Sequence, residues 1–145
     1  MSFMACAAPA VYPCSPDIQS HRRDYREAKA VFVGRVISVE AGSYIPEDIR
    51  GEVDKKVTFS VERRWNGAKN PTISVLASYG PVTCHGFEFR EGERYLVYAF
   101  GDALFVGTMF SRSRPIDRED EQTSKEMRQL NSSWFRFTSS LPFLK

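Results

Sequence analysis

Few residues in this chain carry obvious chemistry. There are two histidines, His21 and His85, in 145 residues. Zinc sites need about four ligands at recognisable spacing. His85 follows Cys84, but no second cluster completes such a set. Gly-x-Ser-x-Gly, phosphate-loop and dinucleotide-binding patterns are all missing, and the many acids form no outstanding carboxylate pair. Catalysis is therefore not expected, and neither is a cofactor or metal. A net charge of +2 is too small to point to nucleic acid or an anionic membrane. No apolar run reaches the roughly 18 residues of a membrane helix, so no membrane span is expected. Internal repeats and low-complexity segments are also absent. Cysteine is scarce: Cys84 has two candidate partners, Cys6 and Cys14, and the alternative is three reduced thiols.

What remains is ordinary globular material. Apolar residues make up 42% and charged residues 26%, and the length suits one domain with a sizeable core. The basic clusters at 21–23, 62–64 and 112–114 each have acids nearby and read as solvated surface. His21 lies in a charge-rich segment and reads as an exposed histidine. The opening "MSFMACAAPAVYPC" is small and apolar. Ala8-Pro9-Ala10 has the small-x-small form of a signal cleavage site, and "FMAC" is similar to the segment before a lipidated cysteine. Residues 1–13 thus read as a signal-peptide remnant or a flexible N-terminus, ahead of a single domain over 14–145.

Local patterns predict the elements. Ser15, Pro16 and Asp17 open a helix over 15–28. Ala30–Glu40 is a β-branched strand, with Gly34 at a bulge or bend. A polar loop covers 41–52, and 55–65 alternates, with Val57, Phe59 and Val61 on one face. Further strands follow at 72–78, 93–100 and 103–110, the last two as a hairpin about Gly101-Asp102. A second helix is expected over 117–130 with Asp117 as its cap. The aromatic tail from Trp134 to Phe143 packs back on the domain or docks on a partner. Five strands with a bent first strand predict a mainly β fold: an OB-fold-like, five-stranded Greek-key barrel with flanking N- and C-terminal helices. Such barrels often bind single-stranded nucleic acid on exposed aromatics. Here Tyr95, Tyr98, Phe100 and Phe105 sit at strand spacing and read as core, so no nucleic acid is expected.

Several segments together, "AKAVFVGRVISVE", "VTFSVERRWNG", "VTCHGFEFREGERYLVYA" and "GTMFSRSRPI" followed by an acidic helix, resemble the netrin-like module. The resemblance is to bacterial relatives of the tissue inhibitors of metalloproteinases, and it covers about Cys14 to Leu130. It implies a secreted, periplasmic or cell-envelope protein with an OB-like barrel, in an oxidising compartment. It also implies one retained disulfide, Cys14 to Cys84, with Phe110 where the family has another cysteine. The implied partner is a protein, a zinc metalloproteinase by the family's activity. The implied contact edge comprises Cys14, Ser15, Ser78, Tyr79, Val82 and Thr83. In the family the first cysteine's free amine and carbonyl chelate the protease zinc, whereas here thirteen residues precede Cys14. A non-inhibitory extracellular adaptor or adhesion module is the alternative.

Overall fold

The computed structural model describes residues 21–44, 53–78, 88–107, 112–116 and 120–139. In chain order these form α1 (His21–Glu27), β1 (Ala30–Tyr44), β2 (Val53–Asn66), β3 (Thr72–Ser78), β4 (Arg94–Ala99), β5 (Phe105–Gly107), β6 (Arg114–Pro115), α2 (Glu121–Asn131) and α3 (Ser133–Ser139). The fold is mainly β. One curled sheet runs in the order β5-β3-β2-β1-β4-β6. β3 and β5 are parallel and the other strand pairs antiparallel. A bridge between Phe100 and Phe105 returns β5 to the end of β4. The chain thus curls into an OB-like barrel in the order β1-β2-β3-β5-β4.

Six strands form where five were expected. The extra one, β6, pairs Pro115 with Tyr95 and Arg114 with Leu96. β5 is three residues long and meets β4 only at Phe100, so the first half of that edge is open for β6 to cover. The hairpin turn is also longer than the two residues expected. It spans 101–104, with Gly101 and Leu104 both at positive φ. Leu104 packs on the barrel core, and that burial holds a backbone conformation leucine otherwise avoids. β1 and β2 pair out to Tyr44 and Val53, past the boundary where a polar loop was expected. This outer ribbon is held by backbone pairing and leaves no apolar signature in the sequence. α2 is capped by Asp120, whose side chain accepts the Thr123 N–H at 2.6 Å, instead of by Asp117. The expected helix residues 15–20 lie outside the described residues.

The alternation in β1 and β4 feeds two interiors. Ala30, Phe32, Val36, Tyr95, Val97 and Ala99 point into the barrel with Val57, Phe59, Val75 and Val106. Edge-to-face contacts of Phe59 with Phe32, Phe89 and Tyr95 run through that core. Val31, Val33, Leu96 and Tyr98 point the other way, onto Tyr25, Ala28, Ile116, Leu130 and Phe135 of the helical side. At Gly34 the pairing of β1 with β2 shifts register, and the pairing of β1 with β4 stops one residue later. A β-carbon there would sit 2.9 Å from the Ser60 carbonyl oxygen and 3.1 Å from Phe59 Cβ. Close approach of two backbones, with no positive φ involved, is what requires glycine here. Gly67 answers a harsher constraint: its φ is +67°, and a β-carbon would lie 1.8 Å from the Lys29 carbonyl oxygen. That contact, with Asn66 donating to the Ala28 carbonyl at 3.0 Å, seats the α1–β1 connection on the β2–β3 turn.

Gly34→Val is expected to destabilise the domain by about 1–3 kcal/mol through this overpacking. Ile37→Ala, at an exposed position on the same strand, should stay within about 0.5 kcal/mol. Chemical denaturation measures both, and equal losses would show that β1 is not pinched at Gly34.

Candidate functional site

Of the contact edge implied by the resemblance, only Ser78 falls among the described residues. It ends β3, paired in parallel register with Gly107. Cys14, Ser15, Tyr79, Val82, Thr83 and Cys84 lie outside them, as do Cys6, His85 and Phe110. Tyr95 and Tyr98 are buried, Tyr95 in the barrel and Tyr98 beneath the helices. The Tyr95 hydroxyl accepts from the Arg90 amide at 2.9 Å and lies 2.8 Å from a Glu93 carboxylate oxygen. Burial first, then Glu93, raises its pKa above the ordinary phenol value.

The densest chemistry lies on the other side of β4, where α1, α2, α3 and residues 112–116 close over the sheet. His21 corrects the sequence reading. Its side chain is 11% exposed, with Nδ1 2.8 Å from Gln129 Oε1 and Nε2 2.8 Å from the Tyr98 hydroxyl. Its ring lies 4.5 Å from that of Phe135. The Tyr98 hydroxyl donates to Glu126 Oε1 at 2.9 Å. The other Glu126 oxygen accepts from Arg114 and lies 3.9 Å from Arg112. Arg112 in turn pairs with Asp24 at 2.6 Å. The cluster at 112–114, expected to be solvated, therefore turns inward: Ser113 accepts the Tyr98 amide at 2.8 Å, and the arginines pair with buried Glu126 and half-buried Asp24. The surface reading fails because the matching acids lie on helices that fold over β4: Asp24 on α1, far away in sequence, and Glu126 on the buried stripe of α2.

Local sequence explains the placement. Thr123, Glu126 and Leu130 share the buried stripe of α2 at helical spacing, so the carboxylate and the apolar anchor point the same way. His21 and Asp24 are three apart on α1 and Tyr25 follows, which puts all three on the face toward β4 and α3. Tyr25 donates to the Trp65 carbonyl at 3.2 Å, and the Trp65 indole donates to Asn131 at 3.1 Å. These bonds tie both helices to the end of β2. Burial lowers the His21 pKa below the ordinary imidazole value, against the upward pull of Gln129 and Glu126. Burial and the Glu126 carboxylate push the Tyr98 hydroxyl far above the phenol range. Among the described residues the buried Thr123 hydroxyl has no hydrogen-bond partner. Among the described residues no group of three His, Cys, Asp or Glu is placed to hold a metal ion, and no helix is long and apolar enough to cross a membrane.

The chain matches no family model and no curated protein.

Removing the Glu126 charge strands Arg114 in the interface. Glu126→Leu is expected to cost about 3 kcal/mol, as for a buried pair broken on one side. Glu62→Gln removes the carboxylate shared by the more exposed Arg35 and Arg94 and should cost under about 1 kcal/mol. Similar losses for the two, read by urea denaturation, would mean that Glu126 is effectively solvated.

Proposed function

We propose that this chain is a non-catalytic protein-binding module similar to the netrin-like module, acting in a secreted, periplasmic or cell-envelope setting. The observation that carries the reading is the strand order β1-β2-β3-β5-β4 with a parallel β3–β5 pair. Helices lie before and after these strands, as the resemblance of Cys14 to Leu130 implied. In this reading Cys14 and Cys84 form a disulfide, which joins the segment ahead of α1 to the connection that leaves β3 after Ser78. Closing a loop of that length contributes roughly 4 kcal/mol in the chain-entropy treatment. It also brings Cys14 and Ser15 beside Ser78, Tyr79, Val82 and Thr83 as a rigid edge. Such an edge loses little conformational entropy on binding. A zinc metalloproteinase is the leading partner class, and chelation of its zinc requires a free α-amine on Cys14.

The adaptor reading has one observation of its own. Trp134 and Phe137 on α3 are 67% and 59% exposed, with ring centroids 6.4 Å apart. Aromatic pairs held at a surface commonly mark protein contacts.

Non-reducing peptide mapping is expected to recover a Cys14–Cys84 linkage, and a dominant Cys6–Cys84 peptide would overturn the proposed edge. Inhibition assays against a panel of zinc endopeptidases then separate the two readings. The 145-residue chain should not inhibit by chelation, whereas a chain beginning at Cys14 should inhibit weakly. Tight inhibition by the longer chain, lost on Cys14→Ser but indifferent to blocking the α-amine, would place the inhibitory surface elsewhere.

A further inference from the structure

The partners of His21 determine its proton count. The single proton of the Tyr98 hydroxyl goes to Glu126 Oε1 at 2.9 Å, because an ionised carboxylate can only accept. The Tyr98 oxygen is then left as an acceptor facing His21 Nε2 at 2.8 Å, and Nε2 must carry a hydrogen. A neutral ring has a bare Nδ1, which Gln129 serves by presenting its amide NH2. A charged ring has N–H at both nitrogens, and Gln129 serves it by presenting Oε1. The same enclosure therefore holds either ring state with every hydrogen bond made. Only the charge differs.

Among the described residues that charge is only partly countered. Among the described residues, the ionised groups around the ring are Asp24 on α1 and Glu126 on α2, facing Arg112 and Arg114 from the segment before α2. Tyr25 of α1, Tyr98 of β4, Gln129 of α2 and Phe135 of α3 complete the ring's own contacts without charge, and Arg136 of α3 adds a further cation near Tyr25. Two carboxylates already balance two guanidinium groups. Glu126 Oε1 is 3.6 Å from Nε2, yet its charge is shared with Arg114 and Arg112. A third cation in so enclosed a space is therefore poorly compensated.

We propose that this cluster is an acid-sensitive latch: protonation of His21 adds an unbalanced cation beneath α1 and loosens α1 from β4, α2 and α3. The sign follows from linkage. Docked His21 binds its proton less readily than a solvent-exposed histidine, so the detached state holds more protons as pH falls. The docking is complete above the ordinary imidazole value of about 6.5 and weakens as pH drops through that value toward the docked one. Because α1 joins residues 1–20 to the barrel, the latch governs how firmly the segment carrying Cys14 and Ser15 is anchored. The inference is independent of which partner, if any, that segment contacts.

The test is hydrogen exchange on the full chain between about pH 7.5 and pH 5, corrected for intrinsic exchange, with carbon-13-labelled histidine followed by NMR in parallel. His85→Gln assigns the two histidine signals. Protection over residues 21–29 is expected to fall about tenfold or more on acidification, with the midpoint of the His21 titration, while β2 stays protected. In His21→Gln, which keeps hydrogen-bonding capacity without titrating, that fall should vanish. If the variant does not fold, the coincidence of the two midpoints in the unaltered chain still decides. Protection of α1 that is flat with pH, or lost equally from β2, would overturn the latch. So would a His21 midpoint at or above the ordinary imidazole value.

Discussion

β1 and β4 must fill two interiors at once. Alternate residues of each enter the barrel or the helical interface, and both strands are buried on both faces from Ala30 to Gly34 and from Tyr95 to Ala99. A barrel this small can bury an apolar stripe on its outside only if something covers it. Three short helices do so, and none is long enough to be stable alone in water. Their position therefore depends on what β4 offers them, which is apolar surface from Leu96 and one polar atom, the Tyr98 hydroxyl. That phenol lies between His21 of α1 and Glu126 of α2. Phe135 of α3 stacks against His21 and meets Tyr25 edge to face. Helix order, strand pairing and the inward turn of Arg112 and Arg114 meet at this residue.

The barrel was legible in the sequence because its signals are local. Alternation at Val57, Phe59 and Val61, the β-branched run before Gly34 and the turn after Asn66 each need only a few neighbouring residues. The β1–β2 extension to Tyr44 was missed because its backbone pairing is not accompanied by an apolar alternation in the sequence. The sixth strand was missed because two residues carry no period. The polar cluster was illegible for a different reason. His21, Tyr98, Arg114 and Glu126 lie far apart in the chain, and each resembles solvated surface until the fold brings them together. A usable hint did exist. Thr123, Glu126 and Leu130 sit one helical turn apart, and an acid between two buried positions on one stripe must either face a partner or break the stripe.

The OB-like order and the charge cluster contribute differently to function. The OB-like barrel is the fold class that the resemblance of Cys14 to Leu130 implied; the netrin-like, protein-binding role itself rests on the proposal. Of the cluster, Tyr98 lies in "VTCHGFEFREGERYLVYA", Arg112, Ser113 and Arg114 in "GTMFSRSRPI" and Glu126 in the acidic helix that follows, whereas His21 and Asp24 lie in none of the segments quoted for that resemblance. Fold alone does not assign activity. What the cluster does supply is a defined seat for the helix that precedes β1.

The central claim is that the helices are fastened to the barrel by one cooperative polar network centred on Tyr98. A double-mutant cycle between Tyr98→Phe and Glu126→Gln tests this most directly. Tyr98→Phe removes the donor of that hydrogen bond and Glu126→Gln removes the charge that accepts it, each keeping the shape of the side chain. If the network acts as a unit, the two losses should be coupled by about 1–3 kcal/mol in equilibrium unfolding. Losses that add to within about 0.3–0.5 kcal/mol would mean that the two groups act separately, and that no cooperative network at Tyr98 fastens the helices.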